Sequence, residues 1–440
     1  MDRRDFIKSA TALAAAQGLS LPTGAEEVKT TVADTPQDTS ALIDSAPVLQ
    51  NFAETSIGIA FSVTDKANGY VIIGEKPDLS DGRKVWCGGY RLTDMNADCM
   101  LVRVTGLKPA TTYYYKIGAD RIHYGGGYDM KVVGNEEPAT VHSFTTAGRK
   151  ANPHFCVIND THARWQAFGL AIDKIAELRP SCVIWNGDAC NTEETVEAQK
   201  RIFLRPEITR SDYAADIPYL FCPGNHDDRG LANRHLERIW MYRQPEERLP
   251  RDWDLGRNFA VRLGDMALIG LDTAEDKLDT NPKLAGLFCS GPYREAQTEW
   301  LRTALKSKEI SSAKHLIAFC HIPLFDSNPK ANPGDLAPAD KREGYNSDFA
   351  AWQRTCAELW TPLLEKAGCK LIVTAHQHHY RWYAPTEDRK WAQVVGGGPD
   401  CSDKNPNGCP TVIEGKLENG KLRIDVYNVY AGTVLDTFFL

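Results

Sequence analysis

Short runs of β-branched and aromatic residues set the rhythm of the first third of the chain. Between about residues 46 and 147 these runs are "SIGIAFSV", "GYVIIGE", "CMLVRVTGL", "TTYYYKIGA" and "TVHSFTT", separated by turn-forming residues. Such runs read as strands, and several of them at close spacing favour a β-sandwich. The glycines of "HYGGGYDMKVVGNEEP" fit a hairpin extension. A phosphate cradle would need a strand-to-helix switch after them, and none follows.

After "AGRKANP" the rhythm changes to apolar runs alternating with helical patterns, which signals an α/β domain. "HFCVIND" precedes a helix near 165–178, and "SCVIWNGD" precedes one near 193–204. "IPYLFCPGNHD" follows, then the hairpin-like pair "NFAVRLGDMALIGLDT". Helices near 294–307 and 349–366 lead into "KHLIAFCHIP" and "CKLIVTAHQHH", and a β-rich tail covers 411–440. Residues 326–347 form a long Pro- and Asp-bearing loop of the kind used as a lid or specificity element.

Composition sets few limits. A chain of 440 residues exceeds what one core usually fills, so two domains are expected, split between 46–147 and 148–440. A formal charge of −7 argues against a nucleic-acid partner, whose phosphates want clustered Lys and Arg. The start, "MDRRDFIKSATALAAA", with paired Arg3 and Arg4 before a short apolar stretch, resembles a twin-arginine signal over residues 1–25. That implies export to the periplasm or beyond, followed by a polar linker over 26–45. The apolar stretch is far too short to span a bilayer. Of the twelve cysteines, Cys156, Cys182, Cys222, Cys320 and Cys369 sit in or beside apolar runs as small hydrophobes; Cys87 with Cys99, or Cys401 with Cys409, could bridge. "GLKPATTYYYKI" resembles the tyrosine-corner segment of fibronectin type III domains, with Tyr113 as the corner residue.

The chemistry lies at the strand ends. Five apolar strands each stop at potential metal ligands: Asp160 with His162, Asp188, Asn225 with His226, His321, and His376 with His378. In α/β sheets the site lies beyond the carboxyl ends of the strands, so distant segments can converge there. Imidazole, carboxylate and amide oxygen suit Zn, Fe or Mn. Two carboxylates cannot neutralise two dications, so such a site stays electropositive and suits a phosphate; a metal pair about 3.5–4 Å apart can clamp phosphoryl oxygens.

The ordered set "DTH", "GD", "GNHD", "CHIP" and "HQH" resembles the calcineurin-like metallophosphoesterase superfamily over roughly residues 150–400. The resemblance implies a four-layer α/β/β/α domain after the β-sandwich, the two-domain layout of purple acid phosphatases. It implies that Asp160, His162, Asp188 and His378 hold one ion. Asp188 would bridge to a second ion, held also by Asn225, His321 and His376. A metal-bound hydroxide would attack phosphorus, most naturally in a small phosphomonoester. His226 would bind the phosphate and protonate the leaving oxygen, with Asp227 orienting it. Apart from the resemblance, His379 and Arg164 could line the pocket because they follow the ligands closely in sequence. Purple enzymes carry a Tyr three residues after the bridging Asp, where this chain has Asn191, and a Gly where it has His162. His162 would fill the tyrosinate's place, with no tyrosinate-to-iron colour. A phosphodiesterase or nucleotidase would use the same two ions, and an exported non-catalytic binding protein is the alternative from another class.

Overall fold

The structure is a computed structural model and describes residues 40–87, 99–242, 257–282, 286–325 and 347–440. The expected signal segment and most of the 326–347 loop lie outside the described residues, as do residues 26–39 of the linker. Ser40–Leu440 forms one unit.

The first strands are β1 (Val48–Gln50), β2 (Ser56–Ser62), β3 (Ala67–Gly74), β4 (Arg83–Trp86), β5 (Cys99–Thr105), β6 (Thr112–Gly126), β7 (Asp129–Glu136) and β8 (His142–Thr145). They make two facing layers. One is the sheet β4-β3-β6-β7 with β8 on β6; the other is β1-β2-β5. Ile57, Ile59 and Phe61 of β2 meet Val71, Ile73, Tyr115 and Ile117 between the layers, the alternation expected of a sandwich strand. The Lys108 N–H donates to Tyr113 Oη (3.0 Å) and fixes the entry to β6.

The remaining strands are β9 (His154–Ile158), β10 (Cys182–Asn186), β11 (Tyr219–Cys222), β12 (Phe259–Leu263), β13 (Met266–Leu271), β14 (His315–Cys320), β15 (Cys369–Thr374), β16 (Arg381–Tyr383), β17 (Ala392–Val395), β18 (Thr411–Glu418), β19 (Lys421–Asn428) and β20 (Thr433–Phe439). They join two larger sheets. The nine-stranded one runs β20-β19-β18-β9-β10-β11-β1-β2-β5, and the six-stranded one β12-β13-β14-β15-β17-β16. Sheet hydrogen bonds therefore cross the expected 147/148 division. Gln50 of β1 pairs in parallel with Tyr219 of β11, and the Asn51 N–H donates to the Tyr219 carbonyl (3.0 Å).

The two large sheets pack face to face because their strands are apolar on both sides. Phe155 and Val157 of β9 point inward to meet Phe319 of β14 and Val373 of β15. Cys156 and Ile158 point outward, under helix α1 (Trp165–Leu178). Helix α1 buries Phe168, Ala171, Ile172 and Ile175, the one-faced spacing of an amphipathic helix. It ends at Arg179 in a left-handed conformation. Helix α2 (Val196–Phe203) starts on Thr195, whose side chain accepts from the Ala198 N–H. The six-stranded sheet is covered by α3 (Ser290–Ala304) and α4 (Ser347–Lys366), through Leu301, Trp360 and Leu364. The result is a β-sandwich plus an α/β/β/α stack.

The cysteine pairs considered above are not formed; all twelve are thiols. Cys99 belongs to the core on the outer face of the nine-stranded sheet, whereas Cys87 packs against the core between the sheets, so they address opposite sides of β5. The Cys409 Sγ lies against the carbonyls of Ser402 and Asn405. No helix among the described residues is long and apolar enough to cross a membrane.

Candidate metal centre

The parallel strands β9, β10 and β11 of one sheet and β14 and β15 of the other end at the same place. Just past those ends the chain turns sharply. Asp160, His162, Asp188, His376 and His378 all have left-handed backbone, with φ between 45° and 68°. This conformation costs non-glycine residues roughly 1–3 kcal/mol each and persists where the surroundings over-determine it. Here the loops hold one another. The Asp160 N–H donates to the Gly187 carbonyl (3.0 Å), His162 N–H to Asp188 (2.9 Å), and Ala375 N–H to His321 (2.7 Å). Gly187 and Gly224 make the close approach possible. A Cβ on Gly187 would lie 2.3 Å from His321 Nδ1, and one on Gly224 would lie 2.3 Å from Asp188 Oδ1.

Asp160 and Asp188 each spend one oxygen on structure and turn the other inward. Asp160 Oδ2 accepts from Asn159 Nδ2 (2.7 Å) and from the His376 N–H (3.0 Å), tying the two sheets together. Asp160 Oδ1 faces His378 Nε2 at 3.3 Å and His321 Nε2 at 3.7 Å. Asp188 Oδ1 accepts from the His226 N–H (2.9 Å). Asp188 Oδ2 faces His321 Nε2 at 3.1 Å and His162 Nε2 at 3.5 Å.

The imidazoles are held the same way. His162 Nδ1 donates to Asn191 Oδ1 (3.0 Å) and His321 Nδ1 to the Asn186 carbonyl (2.9 Å). Those partners accept, so each Nε2 is the nitrogen turned toward the carboxylates, where it holds either a proton or a lone pair for a cation. His162 Nε2 and His378 Nε2 stand 2.9 Å apart. Asn225 Oδ1 is buried with no hydrogen-bond partner among the described residues, and the buried Asp160 Oδ1 and His321 Nε2 meet only the facing side chains of the cluster itself. Buried lone pairs converging without a donor are costly unless a cation takes them. The donor set therefore fits metal ions.

Two groups are in ligand reach. Asp160, His162, Asp188 and His378 form one, and Asp188, His321 and His376 the other, each with ligand atoms within 4.8 Å of one another; Asp188 belongs to both. Asn225, also buried, opens the 3-10 turn Asn225–Asp228 beside Asp188. Burial alone would raise the Asp160 and Asp188 carboxyls, but the facing imidazoles, His321 first, hold both below the ordinary range. Burial opposes charge on His321 too, yet Asp188 and Asp160 push it up to about 10, so a proton and a cation compete for one lone pair.

His226 stands at the rim, its ring centroid 4.9 Å from that of His162. Asp227 does not orient it, contrary to expectation. In the tight turn the Asp227 carboxylate points back, accepting from the Gly224 N–H (2.8 Å) and the Cys190 N–H (2.9 Å). Burial, with Asp188 nearby, pushes Asp227 up to about 8. His226 Nδ1 instead donates to the Asn191 carbonyl (3.0 Å). Asn191 thus holds His162 with its side chain and His226 with its backbone, a double role that its position three residues after Asp188 only hinted at. Asp228 pairs with Arg257. Arg164 is exposed at the start of α1, and half-buried His379 follows His378; neither joins the two ligand groups.

A family profile described as calcineurin-like phosphoesterase matches residues 153–380. Acid phosphatase type 7 of Homo sapiens is 24% identical over 204 residues, covering 46% of this chain and 40% of that protein, and the Mus musculus protein matches over the same shares. The alignment thus spans about 40% of the length of these curated relatives. Among solved structures, purple acid phosphatase PPD1 from yellow lupin (Lupinus luteus) seeds superposes with a TM-score of 0.59 at 14% identity, over 90% of this chain and 74% of that one. PhoD gives a TM-score of 0.59 at 12% identity, over 91% and 94%. At these identities the likeness is one of fold.

Proposed function

This chain belongs to the calcineurin-like phosphoesterase family, and on that premise we propose that it is an exported phosphomonoesterase working with two metal ions. The observation that carries the reading is the convergence of Asp160, Asn225 and His321, each turning a buried ligand atom inward, around the shared carboxylate of Asp188. Asp160, His162, Asp188 and His378 would hold one ion; Asp188, Asn225, His321 and His376 the other. Oxygen and imidazole donors suit Fe, Zn or Mn. When bound, the ions supply Lewis acidity and a water-derived nucleophile at neutral pH.

The chain's own residues do the rest. The left-handed loops keep the ligands in place before substrate arrives, so little reorganisation is left for the reaction. His226, backed at Nδ1 by the Asn191 carbonyl, presents Nε2 to the substrate. Once protonated there, it donates to a phosphoryl oxygen and then gives the proton to the departing alcohol. The products are the alcohol and inorganic phosphate. Export rests on the twin-arginine-like start at Arg3 and Arg4.

A panel of phosphomonoesters and phosphodiesters, assayed on metal-reconstituted protein together with elemental analysis, tests this reading. The expected result is phosphate release from monoesters in preference to diesters, with two ions per chain. Binding of phosphate esters without turnover would leave only a binding protein.

A further inference from the structure

Arg229 lies just past the Asn225–Asp228 turn, and its backbone N–H donates to the His226 carbonyl (3.2 Å). One edge of its guanidinium is fully used. Nε donates to Glu275 Oε2 (3.0 Å), and Nη2 donates to Glu275 Oε1 (2.6 Å) and Asp276 Oδ1 (2.7 Å). Glu275 and Asp276 are 1% and 8% exposed, so the clamp is buried. Lys277 pairs with Asp276 as well, which balances two cations against two carboxylates. The far oxygen of Asp276 lies 4.0 Å from His376 Nε2, at the margin of the metal centre.

The other edge points elsewhere. Nη1 sits 3.4 Å from Nε2 of His226, the same nitrogen that faces the substrate. The Arg229 side chain keeps 27% of its surface exposed. It also lines an open recess of about 980 Å³ together with Asp228, Leu231, Phe288 and Tyr293. A guanidinium fixed along one edge, whose Nη1 among the described residues meets only the His226 ring through a long hydrogen bond and keeps its second N–H for a ligand, is preorganised to receive an oxyanion, because its rotamers are already settled.

We propose that Arg229 binds the substrate's phosphoryl group through Nη1, beside His226, and sets a preference for monoesters over diesters. This rests on the phosphoesterase reading above. A monoester dianion has one more non-ester oxygen and one more negative charge than a diester. The charge-assisted hydrogen bond from Nη1 is strongest to that extra oxygen. In a diester a carbon substituent takes its place. The alcohol portion lies in the recess, whose wall mixes apolar and charged groups.

The test compares wild type with Arg229→Gln in three measurements: kcat/KM on p-nitrophenyl phosphate and on bis(p-nitrophenyl) phosphate, affinity for inorganic phosphate, and metal content. Arg229→Gln is expected to lower kcat/KM on the monoester by about 10–100-fold and on the diester by less than about threefold. Phosphate binding weakens by about tenfold, and metal content stays the same. Equal losses on both esters, unchanged phosphate affinity or loss of metal would overturn the proposal. A wild type that hydrolyses only one of the esters, or neither, leaves phosphate affinity alone to decide on Arg229; hydrolysis of neither sinks the phosphoesterase reading separately. Because Arg229→Gln strands Glu275, the paired R229Q/E275Q protein is measured alongside and read in its place if the single variant fails to fold.

Discussion

Asn191 Oδ1 lies 3.0 Å from Nδ1 of His162 and fixes which nitrogen of that imidazole faces the cluster. The Asn191 Nδ2 donates in return to the His162 carbonyl (3.0 Å), so ring and backbone are held together. Outer partners of this kind commonly account for about 10–100-fold in metal affinity. Asn191→Ala is expected to weaken metal retention by about that factor while leaving the carbonyl that supports His226 in place. Graded chelator dialysis followed by elemental analysis reads the effect, and unchanged retention would show that His162 needs no such support.

Asp188 is the carboxylate common to both ligand groups. Asp188→Ala should therefore empty both positions and abolish activity together. A variant that still holds two ions per chain would count against a bridging role.

His226 touches neither ligand group through its ring nitrogens. His226→Ala should leave metal content near that of wild type and cut turnover by about 10²–10⁴-fold, the usual worth of a general acid. Steady-state kinetics on metal-matched samples would decide, and unchanged kcat would exclude proton donation by His226.

Glu414 gives a pH prediction away from the centre. Burial would raise its carboxyl, but hydrogen bonds from His154 (2.8 Å), Lys416 (2.9 Å) and Tyr427 (3.0 Å) hold it at about 2, below the usual 4.5. The unfolded chain therefore binds this proton more readily. The Glu414 contribution is complete above about pH 4.5 and is lost as the pH falls toward 2. Glu414→Gln should cost about 1–3 kcal/mol at neutral pH, from charged hydrogen bonds lost, and flatten the decline in stability below pH 4.5. Parallel melting curves for wild type and variant across acid would disagree with this assignment.

Local signals carried much of the architecture. The apolar runs ending in Asp160, Asp188, Asn225, His321 and His376 are strands, and their ends meet, because strand period and terminal polarity are written within a few residues. Relationships between distant segments were out of reach. Nothing near Gln50 announces that it pairs with Tyr219, nor do Glu275 and Asp276 announce that they clamp Arg229 from 46 and 47 residues away. The Asp227 role was misjudged for a geometric reason. In a 3-10 turn the side chain after His226 is carried round toward the Gly224 amide, away from the imidazole. Asn191 was visible as a departure from the purple enzymes, but its grip on two histidines depends on loop positions that only the folded chain supplies.

The joining of β1 to β11 bears on any attempt to dissect the protein. A fragment starting near residue 148 would retain every metal-binding side chain named here yet strip β11 of its neighbour. A bare strand edge would then lie directly behind Asn225 and His226, open to pairing with another molecule. A fragment without the N-terminal segment would therefore be expected to self-associate even with its metal-binding side chains in place.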